Sequence, residues 1–93
     1  MSNILQILQQ NKEELFKKYP LKSMALFGSY SRGAETQDSD VDVMVELNGP
    51  IGIRFLDLNY EIENLLHKKV DLVSKRGIRP AYLSFIEPDL IYV

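Results

Sequence analysis

Residues 26–46 run LFGSYSRGAETQDSDVDVMVE: an apolar end, a small polar loop, then a second apolar stretch. Ser23 to Phe27 is short and apolar and stops at Gly28, which predicts a buried strand ending at a glycine. A glycine there allows positive φ and lets a ligand approach the backbone closely. Ser29 adds a hydroxyl and a backbone N–H, and Gly33 gives a second point of close approach. Residues 28–39 read as a loop, with a helical turn expected near Tyr30 to Ala34. A turn at that place aims unpaired N–H groups outward, an arrangement that suits phosphate.

The second half of the stretch alternates. Val41, Val43 and Val45 face one way, and Asp42, Met44 and Glu46 the other, so 41–47 is predicted to be a strand with one strongly apolar face. Asp40 and Asp42 stand two apart and fall on one face of an extended chain, with Cα atoms roughly 6–7 Å apart. Two carboxylates so placed repel one another unless a cation lies between them, and carboxylates with substrate phosphates are the usual hold on Mg²⁺. Asp71 lies on a third apolar segment, Val70 to Ser74. If that segment pairs with the Val41 strand, Asp71 completes an acidic trio. A phosphate loop followed by such a trio contains the parts for metal-assisted phosphoryl or nucleotidyl transfer.

Outward from this centre the chain alternates helix and strand. Residues 2–19 read as a helix capped by Ser2, with Ile4, Leu5, Leu8, Leu15, Phe16 and Tyr19 near one face, stopped by Pro20 and softened at Asn11. Asn48-Gly49-Pro50 is a turn. Ile51 to Leu66 carries Phe55, Leu58, Ile62, Leu65 and Leu66 at steps of three and four and is the clearest amphipathic helix. Lys75 to Arg79 is a basic loop, Pro80 opens a helix to about Ile86, and Leu90 to Val93 is β-prone. The order α-β-β-α-β-α-β predicts an α/β (α+β) domain, a sheet with helices packed on it.

With 93 residues the chain is expected to be a single domain, 1–93, burying roughly 65% of its extended surface. That leaves no room for a separate acceptor-binding domain. The absence of cysteine excludes thiol catalysis, disulfides and cysteine zinc sites. Eleven basic against thirteen acidic residues give a net charge of −2, so no direct nucleic-acid partner is expected. Without a secretory signal or a membrane-length apolar run, the expectation is a cytoplasmic protein with no membrane contact. His67, beside Lys68 and Lys69, reads as a solvated helix end. Phe55 and Tyr60 read as core or helix face. Tyr82, Phe85 and Tyr92 would suggest a partner surface if exposed. No P-loop, kinase signature or histidine pair is present.

Gly28-Ser29, ten residues, then Asp40-Val41-Asp42 resembles the signature of the DNA polymerase β-like nucleotidyltransferase superfamily. Phe27-Gly28-Ser29-Tyr30-Ser31-Arg32-Gly33 with Ser39-Asp40-Val41-Asp42 resembles, more narrowly, its minimal nucleotidyltransferase (MNT) family. The resemblance implies the nucleotidyltransferase fold, a short mixed sheet flanked by helices, and ATP with Mg²⁺ as donor. It implies that Gly28 and Ser29 bind the triphosphate, that Arg32 contacts phosphate or acceptor, and that Asp40, Asp42 and Asp71 are catalytic metal ligands. It further implies an antitoxin that transfers AMP to a tyrosine hydroxyl of a HEPN-domain RNase toxin. Two other readings stay open: an antitoxin that blocks the toxin by binding alone, and a nucleotidyltransferase for a small hydroxylated molecule.

Overall fold

The computed structural model describes residues 3–93; the expected cap Ser2 lies outside the described residues. Helix α1 spans Ile4–Lys18 and buries Ile4, Leu8 and Leu15, the apolar positions of its 3.6-residue pattern. Asn11 does not break it, because its side-chain amide donates to the Ile7 carbonyl one turn back (2.8 Å). Tyr19 turns extended ahead of Pro20, which ends the helix. Strand β1 then covers Leu21–Phe27, starting two residues earlier than the apolar run predicts. A register irregularity between Leu21 and Ser23 lets exposed Lys22 be absorbed at its start.

Helix α2 is one turn, Ser29–Arg32, beginning a residue before the expected turn and closed by Gly33 in the left-handed region. Strand β2 is Val41–Leu47 and α3 is Arg54–Leu66. The first three residues expected in α3 form a turn instead, with the Arg54 N–H donating to the Ile51 carbonyl. His67 ends α3 at φ 54°, exposed. Strand β3 is Val70–Ser74, α4 is Pro80–Ile86, and β4 is Ile91–Tyr92, with 3-10 turns at Lys75–Gly77 and Glu87–Asp89.

The strands form one mixed sheet in the order β3-β2-β1-β4. β1 pairs antiparallel with β2 and with β4, whereas β2 and β3 are parallel, with α3 as the crossover a parallel pair requires. On one face Val41, Val43 and Val45 meet α1 and α3 through Leu8, Leu15, Leu58 and Ile62. On the other, Phe27 and Met44 are sealed by Ile86 of α4. The second face of β2 is therefore not a solvated one. Met44 is buried, and Asp42 and Glu46, which share its side, are half-buried.

Candidate active site

The ends of β1, β2 and β3 bring the acidic residues together. Phe27, the last residue of β1, stands opposite Asp42, and Asp42 stands opposite Asp71 across the parallel pair. Paired residues share a face, so both carboxylates lie on the α4 side of the sheet. Asp40 precedes β2 by one residue and is exposed, as is Asp71. The expected juxtaposition of Asp71 with the Asp40–Asp42 pair is thus present in the register.

Gly28 explains why Asp42 can sit where it does. Its φ is 74° and ψ −151°, a region that only glycine visits freely. A Cβ built there would lie 2.1 Å from Asp42 Oδ2 and 3.0 Å from its Cγ. The carboxylate rests directly on the glycine, so the missing side chain is what makes room for it. Beyond Gly28 the chain turns at once into α2. The Gly28 carbonyl accepts from the Ser31 hydroxyl (2.9 Å) and from the N–H groups of Ser31 and Arg32. The Ala34 N–H closes on the Ser29 carbonyl. The opening N–H groups of a helical turn have no partner inside it and face out beside Ser29.

Burial, then the charges of Asp71 and Asp40, push the Asp42 carboxyl above its ordinary value, with the Arg32 guanidinium pulling the other way. The charges of Asp71, Asp40 and Arg32 thus all act on Asp42. Arg32 is held by Asp89, 3.5 Å away in the turn after α4. Sequence reasoning missed Asp89, and no local signal marks it, since the contact exists only once α4 folds back over the sheet. Ser31, which pins the turn to Gly28, was quoted in the motif without a role.

A divalent cation fits this corner by the chemistry of its donors. All are carboxylate oxygens, they raise one another's affinity for positive charge, and no nitrogen or sulfur ligand competes. Among the described residues no three acidic or histidine side chains converge as a ready-made ligand set. Mg²⁺ usually takes one or two carboxylates and completes its shell with substrate phosphates and water. A concavity of about 810 Å³ lies elsewhere: Glu46, Asn48, Lys75, Arg76 and Leu83 line it at the far end of β2 and β3. At the acidic corner Asp40 and Asp71 are exposed.

These elements and this corner define a nucleotidyltransferase. The nucleotidyltransferase domain model matches residues 4–93. A Methanocaldococcus jannaschii chain assigned provisionally as a protein adenylyltransferase is 46% identical, covering all of this chain and 97% of that one. The protein adenylyltransferase MntA of Thermococcus cleftensis is 33% identical over all of this chain and 95% of its own length. Among solved structures, one described as a minimal nucleotidyltransferase superposes with a TM-score of 0.76 at 28% identity, covering 94% of this chain and 93% of the other. A toxin–antitoxin structure with AMP-PNP gives 0.66 at 27% identity over 80% of this chain, which spans 62% of the length of the chain it matches. A Shewanella oneidensis MNT antitoxin, in complex with a tri-AMPylated HEPN toxin, shares the fold at TM-score 0.67 and 22% identity, over 94% of this chain and 69% of that one. The chain belongs to the nucleotidyltransferase domain family, and within it to the minimal nucleotidyltransferases, an enzyme class that includes the protein adenylyltransferases.

Proposed function

We propose that this chain is an antitoxin that transfers AMP from ATP, with Mg²⁺, to a tyrosine hydroxyl of a cognate HEPN-domain RNase toxin in the cytoplasm. The observation that carries the reading is the Asp42 carboxylate seated on Gly28, with Asp71 opposite it in register and a phosphate-type turn beginning at Ser29. The similarity to protein adenylyltransferases supports the donor nucleotide and a protein acceptor. No helix among the described residues is long and apolar enough to cross a membrane.

In this reading the N–H groups opening α2 and the Ser29 hydroxyl hold the triphosphate, and Gly28 lets it approach the backbone. Asp40, Asp42 and Asp71 would hold the cations, which when bound offset charge on the α-phosphate and the departing pyrophosphate. The tyrosine oxygen attacks the α-phosphorus, a new O–P bond forms, the bond to the bridging oxygen breaks, and pyrophosphate leaves. Asp71, exposed at the mouth of the corner, takes the hydroxyl proton. Arg32, fixed by Asp89, presents its guanidinium to the phosphates. Asp40 and Asp71 are exposed, and a macromolecular acceptor would cover them.

The test is neutralisation of the toxin's RNase activity with and without ATP, for the wild-type chain and for Asp40→Ala/Asp42→Ala. Dependence on both ATP and the aspartates is expected. Neutralisation without ATP, undiminished in the double variant, would replace transfer by occlusion.

A further inference from the structure

The face of the sheet that bears Asp42 and Asp71 is covered by α4, and the outer side of α4 is itself apolar. Ile86 points inward onto Phe27 and Met44, while Tyr82 and Phe85 are 51% and 73% exposed, their rings stacked 6.4 Å apart. Tyr92, 54% exposed, pairs with Ala25 and so extends from the same face of the sheet. Phe85 stands one helical turn before Asp89, the residue that holds Arg32 against the acidic corner. The three aromatic side chains thus lie on the side of the sheet that bears Asp42 and Asp71.

We propose that Tyr82, Phe85 and Tyr92 form the surface on which the toxin polypeptide docks to present its hydroxyl to Asp42. The inference rests on the protein-acceptor reading above and adds to it where the acceptor sits. At about 200 Å² per aromatic side chain, these exposures amount to roughly 350 Å² of ring surface. A specific interface needs about 800 Å² per partner, with a fully buried aromatic centre and a polar rim. The patch has the size of that centre. Arg79 caps α4 one turn before Tyr82 and Arg76 lies in the preceding 3-10 turn; both are exposed with no ion-pair partner among the described residues, so the matching toxin surface is apolar and edged on that side with acidic groups. A second apolar stripe, Ile53, Leu56 and Tyr60, is exposed along α3. That helix packs on the opposite face of the sheet, away from Asp42, and cannot guide a hydroxyl to it.

The experiment is calorimetric titration of the HEPN-domain toxin into the wild-type chain and into Phe85→Asp, Tyr82→Ser and Leu56→Asp. AMP-PNP affinity, circular dichroism and sedimentation are measured on each. Phe85→Asp should weaken toxin binding at least thirtyfold and raise the KM for toxin in AMP transfer. Tyr82→Ser should act in the same direction, Leu56→Asp should stay within twofold of wild type, and nucleotide affinity should be unchanged throughout. The proposal is overturned if Phe85→Asp and Tyr82→Ser bind toxin within threefold of wild type. It is equally overturned if they alter only self-association, which would make the patch a contact between copies. If the wild-type chain neither binds the toxin nor modifies it, the protein-acceptor reading itself falls, and the docking surface with it.

Discussion

Replacing Gly28 with alanine isolates the contact on which the site depends. At φ 74° and ψ −151° an alanine pays about 1–3 kcal/mol in backbone strain. Its Cβ would also stand 2.1 Å from Asp42 Oδ2, so the carboxylate must leave its rotamer, at about 0.5–1.5 kcal/mol. The sum is about 1.5–4.5 kcal/mol, against a total stability of about 5–14 kcal/mol for a domain of this length. In a domain this small that lowers Tm by about 8–23 °C. Gly33→Ala is the control. Its φ is also positive, 69°, but nothing lies within 4 Å of an added Cβ, so only a backbone cost of about 1–2 kcal/mol is expected. Urea denaturation at pH 7 reads both, and a cycle with Asp42→Ala reads the clash alone. In that background only the Asp42 Cβ remains, 3.3 Å away, and Gly28→Ala should cost about 1 kcal/mol less than in wild type. Equal costs at Gly28 and Gly33, with no coupling to Asp42, would refute the claim that the glycine exists to seat the carboxylate.

Three further outcomes follow from the charges. Asp42 titrates above its ordinary 3.8, so its ionised form opposes folding at neutral pH and the opposition disappears as pH falls below 3.8. Asp42→Asn should therefore stabilise the nucleotide-free fold at pH 7 and lose that advantage near pH 3; a destabilised variant at pH 7 would contradict this. For Glu61, burial raises its pKa, but the bonds from Lys18 (2.9 Å) and Tyr19 (2.8 Å) outweigh it and bring it below 4.5. Its contribution is present above 4.5 and lost as pH falls through the lowered value. Glu61→Gln should cost about 1 kcal/mol in urea melts at pH 7 and nothing in strong acid. Among the described residues it is Arg32 that draws the Asp42 carboxyl downward. In Arg32→Ala the Asp42 midpoint, followed by carboxyl NMR, should rise, and an unmoved or lower midpoint would show that the guanidinium does not face the site.

Local patterns in the chain foretold most of the elements. The three-and-four spacing of α1 and α3 is a property of single helices, and Val41, Val43 and Val45 report a strand without reference to its neighbours. Asp40 and Asp42 could be paired because their separation is two residues. Other features depend on how elements meet. Met44 alternates away from the apolar valine face and is buried because Ile86, forty-two residues later, packs on it. The turn after the same helix carries Asp89 to Arg32. The alignment of Asp71 with Asp42 is a matter of strand register, which a short Val-Asp-Leu-Val segment does not specify by itself. The aromatic residues of the C-terminal third were legible as a cluster, but their exposure was not, since helix α4 buries Ile86 and leaves Tyr82 and Phe85 outside.

The central claim is that this acidic corner transfers AMP to the toxin. Intact-mass spectrometry of the HEPN-domain toxin, incubated with this chain, ATP and Mg²⁺, tests it most directly, with Asp42→Asn in parallel. The account predicts a gain of one or more AMP masses, mapping to a tyrosine and absent with Asp42→Asn. An unmodified toxin that nonetheless forms a stable complex with the ATP-bound chain, or modification undiminished in the variant, would contradict it.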